Sequence, residues 1–431
     1  MLRVLVVSPR FAPSNAPDMH RIRLLLGYAN QSGWHAEVLA IEPEDLPVPR
    51  DPWLALRLSE TVPIHRVRVG RTLVRFGIRA LWLRSFWALL RKGATLLSQK
   101  QFDLVFFSTT EFPLHVLGPL WKRRFGVPFC MDLQDPWVND YYRDHPKVTP
   151  PGGRLKYAIA AQIDRVLERF VITRCAGFLT VSERYLLDLE RRYGARAATQ
   201  PRLIKPFPGE PNEHVEFISR RIVGGNARPV WRYIGRGGED MRFALRAFLA
   251  AWKRARVASE APPKLLFEAI GTSYAPAGAG TPSLQPETAA FGLDSEFIER
   301  TDRVAYSEAL TLMQNSDALV VFGSDDPAYT ASKIYPYLLS RRPVLAIFHE
   351  KSSVVSLMRE VGGGVCLTYN EQTTLDMLAE KIYQVWFCQG GWRVAVEMDL
   401  GKFAPYTARE QALAIGTWFR TILATRAPRY A

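Results

Sequence analysis

Short apolar runs alternate with longer stretches of helical periodicity along the whole chain. Strands buried on both faces read as continuous apolar runs, whereas amphipathic helices repeat every three to four residues. In the first half the runs predict strands at Leu2–Val7, Ala36–Ile41, Ile64–Val69, Leu104–Thr109, Phe129–Asp132 and Phe178–Val181. Between the first two, Ile22, Leu25, Leu26 and Ala29 fall at helical spacing, and Gly33 is a natural stop. Ser182, directly after F-L-T-V, is placed to cap a helix over Glu183–Tyr193 that ends at Gly194. The segment K-P-F-P-G-E-P-N, from Lys205 to Asn212, reads as a linker. After it a second series predicts strands at Val230–Ile234, Leu265–Ile270, Phe297–Arg300, Ala318–Phe322, Val344–Ile347 and Val365–Leu367. Tyr274–Pro286, rich in Gly, Ala and Pro, reads as a surface loop. Strand and helix in regular alternation predict an α/β chain built on parallel sheets.

A length of 431 residues exceeds one ordinary core and implies two domains. Cys130, Cys175, Cys366 and Cys388 are scattered without a C-x-x-C pair, the usage of reduced, packed thiols in a cytoplasmic protein. The opening apolar run stops at Ser8-Pro9, which suits a buried first strand better than a signal peptide. No apolar run approaches the ~18 residues a membrane span needs.

Charge changes the picture. The net charge is +14, and residues 1–205 hold 31 Lys and Arg against 18 Asp and Glu, whereas residues 206–431 hold 25 against 24. Such asymmetry implies a basic surface facing something anionic: a membrane, a nucleic acid or an acidic substrate. From Ile64 to Lys100 there are nine basic residues and no acidic one, interleaved with Phe76, Trp82, Phe86 and Trp87. That mixture is the chemistry of attachment to an anionic membrane surface, with Arg75, Arg79, Trp82 and Trp87 as the contact residues. The plainer reading puts the aromatics in the core and the arginines in solvent. Arg71, Arg75 and Arg79 share a helical face that Arg84 and Arg91 do not, so two short helices with a bend near Gly77 or Ser85 are expected. No helix-turn-helix, zinc-finger or RNP-like motif is present, and no nucleic-acid partner is expected.

The first strand is followed by S-P-R-F-A-P-S-N-A-P, without a glycine, which argues against a dinucleotide bound at this turn. The second half is better furnished. The strand W-R-Y-I ends at Gly235 and continues R-G-G-E-D-M-R into a helical stretch. Glycines at the carboxyl end of a strand let backbone N–H groups cradle an anion. Arg236 and Arg242 bracket the turn and carry several donors each. The plain alternative is a tight turn with solvated arginines. A second junction, D-A-L-V-V-F-G-S-D-D-P-A-Y-T-A-S-K-I-Y-P-Y-L-L-S-R-R-P-V-L-A-I, places Thr330, Ser332 and Lys333 where a helix begins and Tyr337 within it. A lysine there meets the positive end of the helix dipole, a mild penalty that an anion between them removes.

Taken in order, these segments resemble retaining glycosyltransferases of family 4 with the GT-B fold. V-L-V-V-S-P-R-F-A-P resembles the family's opening. F-D-L-V-F-F-S-T-T and G-V-P-F-C-M-D-L-Q-D-P-W resemble its middle strands and acidic turn. Y-I-G-R resembles the strand and phosphate-binding arginine that open the second domain. T-A-S-K-I-Y-P-Y-L-L-S-R-R-P-V-L-A resembles the donor-site helix. Two departures stand out. Pro336 occupies the position of a ribose-binding glutamate, with Asp325 and Asp326 on the preceding loop as the nearest stand-ins for the acidic residue expected about two turns earlier, and N-A-P-D-M-H-R replaces the usual glycine pair after the first strand.

The resemblance implies two Rossmann-like domains with parallel sheets facing across a cleft. Residues 1–205 form the acceptor side, 206–400 bind the nucleotide sugar, and a helix in 401–431 crosses back to the first domain. It implies transfer of a sugar from a nucleoside diphosphate to a lipid-linked or polysaccharide acceptor with retention, without a metal or other cofactor. Gly235, Arg236, Arg242, Thr330, Ser332, Lys333 and Tyr337 would hold the donor. His115 and Asp135 are the catalytic candidates on the acceptor side, with Asp132 beside them; the plainer readings are an ordinary helix residue for His115 and a helix or turn cap for Asp135. The expected place is the cytoplasm, on the inner face of the membrane. A sugar-nucleotide epimerase or hydrolase on the same fold, or a catalytically silent nucleotide-sugar binder, is the alternative.

Overall fold

The computed structural model describes residues 1–56, 58, 62–70, 80–138, 153–194, 197, 199–219, 228–275, 277–326 and 329–425. The chain divides into two compact units, Met1–Phe207 with Ala408–Ala431, and Pro208–Thr407.

The first unit is a seven-stranded, wholly parallel sheet: β1 (Leu2–Val7), β2 (Trp34–Ile41), β3 (Ile64–Val67), β4 (Leu104–Ser108), β5 (Phe129–Leu133), β6 (Phe178–Thr180) and β7 (Arg202–Ile204). Its order is β3-β2-β1-β4-β5-β6-β7, and the pairings Val4↔Ala36 and Val4↔Leu104 set the register at its centre. Val4, Leu5, Val6 and Val7 are wholly buried, which is why β1 reads as an unbroken apolar run. The sequence pattern misses only β7 among these strands. Its three residues, between Pro201 and Pro206, are too few to show a period.

Helix α1 (Met19–Leu26) follows β1. Helix α2 (Leu81–Gln99) is continuous, so no bend falls at Ser85, whereas Gly77, the other place expected for it, lies outside the described residues. Ser85 Oγ instead donates to Leu81 O one turn back, at 2.8 Å, and stays buried. Gly93 lets the helix lie on Trp121, since a Cβ there would come within 2.2 Å of the indole. Helix α3 (Arg154–Ile172) precedes β6, and α4 (Glu183–Tyr193) follows it. Ser182 occupies the N-cap of α4 in an extended conformation, but its hydroxyl makes no capping bond.

The second unit has a six-stranded parallel sheet: β8 (Val230–Ile234), β9 (Leu266–Ile270), β10 (Phe297–Arg300), β11 (Ala318–Phe322), β12 (Val344–His349) and β13 (Val365–Tyr369). The order is β10-β9-β8-β11-β12-β13. Helix α5 (Arg242–Val257) follows β8, and the short helix α6 (Ile334–Leu339) follows β11. The final helix α7 (Ala408–Ala424) belongs to the first unit. Its Ala412, Ile415, Phe419 and Ile422 are wholly buried. Trp34 Nε1 donates to Ala412 O at 3.1 Å, and Trp418 Nε1 to Pro201 O at 3.2 Å.

Candidate functional site

Each sheet reverses its strand order once, between β1 and β4 in the first unit and between β8 and β11 in the second. In open α/β sheets the crevice beyond the carboxyl ends of such strands is where ligands bind. Both places are furnished with polar groups.

In the second unit, Gly235 ends β8 with φ +150, and a Cβ there would come within 2.4 Å of Lys333 Nζ. Glycine is what lets the ammonium reach the strand end. Lys333 Nζ donates to Tyr233 Oη, which donates to Arg236 O. Burial, and then the Arg236 cation nearby, lower the Lys333 pKa to about 7. The two junctions expected from sequence therefore meet at Lys333 and Gly235.

Arg236 is not a free cation. Its Nη1 and Nη2 bond Asp240 Oδ1 and Oδ2 at 3.0 and 2.7 Å, and its guanidinium lies 5.2 Å from the Tyr329 ring centre. Burial opposes its charge, but the bidentate Asp240 pair keeps its pKa above the usual range. Arg242 opens α5 and turns to Glu287 at 2.8 Å and Glu239 at 3.3 Å, so its charge, like that of Arg236, is met by carboxylates. Thr330 accepts from Ser353 Oγ at 3.4 Å, and Ser332 is exposed in the turn before α6. Tyr337 is wholly buried, and its hydroxyl accepts from Ile234 N at 2.7 Å. It ties α6 to the end of β8, which makes it a positioning residue rather than the donor contact expected. Pro336 is the third residue of α6, where an N–H has no intrahelical acceptor, so it leaves the helix intact.

In the first unit, Asp132 at the end of β5 is wholly buried. Its Oδ2 accepts from Ser108 Oγ at 2.9 Å and Gln134 Nε2 at 2.8 Å, with Arg21 Nε at 3.5 Å. Burial raises its pKa, and Arg21, Gln134 and Ser108 only partly offset this. Asp18 stands beside this cluster, accepting from Arg10 at 3.0 Å, Thr109 Oγ1 at 3.0 Å and Thr110 N at 3.1 Å. Arg10 also faces Glu111 at 3.4 Å. Sequence reasoning missed Arg10, Asp18, Arg21 and Gln134. For Asp18 and Arg21 the signal was present in D-M-H-R, a charged group at the start of a helix whose apolar spacing turns it inward.

The expected catalytic pair differs in exposure. His115 lies in a 3-10 turn (Phe112–Val116) and is wholly buried, so it does not present itself at a surface. Phe107 stacks on it at 5.1 Å, and Phe112 and Trp137 lie at 5.9 and 5.8 Å. Nδ1 lies 2.9 Å from Phe112 O and must carry the proton, which leaves a lone pair on Nε2. Burial lowers its pKa to about 4, so it is neutral near pH 7. Asp135 is exposed in the bend after β5. Trp82 and Trp87 also part company: Trp82 packs on the core, whereas Trp87 is 65% exposed. Arg75 and Arg79, with Arg71, lie outside the described residues. Among the described residues no cluster of His, Cys, Asp and Glu is placed to hold a metal ion, and no helix is long and apolar enough to cross a membrane.

Residues 20–202 match the family described as the glycosyl transferase 4-like domain. That stretch of the first unit is similar to the glycosyl transferase 4-like domain. Its matched span runs from α1 to the start of β7 and contains Arg21, His115, Asp132 and Asp135. No curated protein matches the chain. Among solved structures, Anabaena HepE, determined with UDP-glucose, has 16% identity over 99% of both chains at a TM-score of 0.57. Sucrose-phosphate synthase from Thermosynechococcus elongatus has 13% identity over 99% of this chain and 100% of its own, at 0.64. WaaG, a glycosyltransferase involved in lipopolysaccharide biosynthesis, has 13% identity over 99% and 100%, at 0.55. The two units are thus the two Rossmann-like domains of a GT-B fold.

Proposed function

We propose that the protein is a glycosyltransferase that moves a sugar from a nucleoside-diphosphate sugar to a lipid-linked or polysaccharide acceptor. The observation that carries this reading is the convergence of Lys333, Arg236 and the glycine turn 235–238 beyond the carboxyl ends of β8 and β11. A diphosphate is the ligand such a place favours, because the Lys333 ammonium and the Arg236 guanidinium lie near one another at the end of β8. Lys333 lies where the two junctions meet without an ion pair to a carboxylate among the described residues, which leaves it the cation for an incoming anion. As the bond to the sugar breaks, charge grows on the departing diphosphate, and preorganised cations stabilise it. The reaction so drawn needs no metal. Retention of anomeric configuration is the stereochemistry that goes with the family resemblance. HepE bound to UDP-glucose adds that a nucleotide sugar suits this fold.

On the acceptor side the buried Arg21–Asp132 pair fixes the end of β5, and Asp135 beyond it is exposed. His115, buried and neutral among three aromatic rings, steadies the turn after β4 rather than meeting substrate. The basic stretch from Ile64 to Lys100 attaches the first unit to an anionic membrane from the cytoplasmic side.

Thermal-shift titration against UDP-, GDP-, TDP- and ADP-sugars tests the donor. A ligand at 100 times its dissociation constant adds about 2.7 kcal/mol. Arg236→Ala and Lys333→Ala should each lose about 1.5–3 kcal/mol of donor binding while remaining folded. Parent-like titration by both variants overturns the site.

A further inference from the structure

The glycine turn after β8 carries an anion of its own. Asp240 lies in the 3-10 turn Glu239–Met241, four residues beyond Arg236, and its two oxygens accept from Arg236 Nη1 at 3.0 Å and Nη2 at 2.7 Å. The Nη1–Nη2 edge of a guanidinium grips two oxygens at once, and a phosphate takes it in the same two-pronged way. Here that edge is already filled.

The pair closes over the turn rather than sinking into the core. A Cβ on Gly238 would collide with Asp240 Oδ1 and come within 2.8 Å of Arg236 Nη1, so glycine is what lets the two meet there. Both partners stay within reach of solvent, with side chains 28 and 25% exposed. Lys333 shares the neighbourhood. Burial lowers its pKa, Arg236 lowers it further and Asp240 partly restores it, which puts the three groups in one field.

The surroundings oppose a second anion while Asp240 holds its place. Ser324 hydrogen-bonds the Asp240 carboxylate, and Asp325 N donates to Asp240 O at 2.8 Å. Burial, then Asp240 and Asp326, raise the pKa of Asp325. Arg236 and Lys333 therefore face a group of carboxylates, and an incoming phosphate meets like charge as well as opposite charge.

We propose that Asp240 is the resident counter-anion of the donor site: it occupies the phosphate place on Arg236 until a diphosphate displaces it, and so sets a preference for a diphosphate over a single phosphate. This rests on the donor site proposed above. Displacement exchanges one charge-assisted pair for another, so an anion gains only if it brings more charge than the carboxylate or reaches a second cation. A diphosphate does both, with Arg236 for one phosphate and Lys333 for the other. A single phosphate exchanges with Asp240 at little net gain. Were Asp240 present to orient Arg236 for the ligand, its removal would weaken binding, the opposite sign.

The test is calorimetric titration of the full chain with inorganic pyrophosphate and, separately, inorganic phosphate, at one pH and ionic strength. Asp240→Asn removes the charge and keeps the shape. It should bind pyrophosphate about tenfold more tightly than the parent, the scale of one charge-assisted bond released to the ligand. Inorganic phosphate should gain by a larger factor, so that the two affinities draw together. With Arg236→Ala in the same chain, the gain from Asp240→Asn should largely vanish, as coupling through that pair requires. A melting curve beside each titration separates binding from folding, and Asp240→Ser is the second variant, with the same expected direction, if Asp240→Asn melts early. Pyrophosphate binding that Asp240→Asn weakens or leaves unchanged overturns the proposal, as does a gain that persists in full without Arg236. If Lys333→Ala still abolishes binding in those cases, the donor site stands. No pyrophosphate binding by the parent and none by Asp240→Asn, or binding indifferent to Lys333→Ala, overturns the donor site and the proposal together.

Discussion

Two titratable residues are placed so that their charge state, rather than their contacts, decides what they do. Lys333 is held against Tyr233 and near Arg236, and its pKa is lowered from 10.5 to about 7. A diphosphate favours the ammonium, so donor binding should draw a proton onto Lys333. Affinity for UDP should then fall as pH rises above about 7, approaching tenfold per unit. Lys333→Arg, always charged, should flatten that profile while binding. Titration by calorimetry in buffers of different ionisation heat reads the proton directly, and equal heats in all of them would sink the idea. For folding the sign is separate. Between about 7 and 10.5 the unfolded chain holds the proton that the folded one has lost, so this residue makes stability rise with pH there. His115 gives the acid counterpart. Its pKa is about 4 folded and 6.5 ordinarily, so stability should fall as pH drops through that window, by roughly 3 kcal/mol in all. Asp132, raised by burial, acts in the opposite sense at low pH. His115→Phe, set among Phe107, Phe112 and Trp137, should give a flatter slope between pH 6.5 and 4 in urea melts. A slope unchanged from the parent contradicts the assignment.

Within elements, α2 shows how one run of sequence serves two surfaces. Trp82 leans on the core and Trp87 projects outward, five residues apart on a single continuous helix. Trp82→Ser should lower the melting temperature, at a cost of about 1–3 kcal/mol for a half-buried ring, whereas Trp87→Ser should leave it unchanged. Equal shifts in the two melting curves would show that both rings are core. The same helix shows where legibility ends. Strands such as Val230–Ile234 and Ala318–Phe322 are readable because burial on both faces leaves them uniformly apolar. The continuity of α2 through Ser85 is not readable, because it depends on a hydroxyl bonding back to Leu81 and on a glycine fitted to Trp121. The site divides in the same way. Gly235 and Lys333 announce themselves by local oddity, a glycine turn and a cation at a helix start. Asp240 neutralising Arg236, Glu287 capturing Arg242 and Asp18 binding Thr109 are tertiary pairings that spacing alone does not encode.

At the scale of the molecule, the first unit is discontinuous: the chain leaves it at Phe207 and returns at Ala408. Helix α7 completes its core rather than decorating it. Phe419 meets Trp34 edge-on at 5.4 Å and Phe106 at 5.4 Å, so one side chain bridges β2 and β4. Gly416 sits where a Cβ would come within 2.6 Å of Ser32 O, a closeness that fixes the helix against the turn before β2. Ile415, Trp418, Phe419 and Ile422, each stabilising by about 1.5–3 kcal/mol when buried, together approach the 5–15 kcal/mol that a whole domain commands. Removing residues 408–431 should therefore unfold the first unit and leave the second standing. Hydrogen exchange on the truncated chain reads this strand by strand: protection should vanish in β1, β2 and β4 and persist in β8, β11 and β12. Gly416→Val in the full chain should move in the same direction by a smaller amount, lowering protection in β2 before β8. Should the truncated chain keep native protection in β2 and β4, α7 is an accessory to a core that closes without it, and the two ends of the chain fold independently.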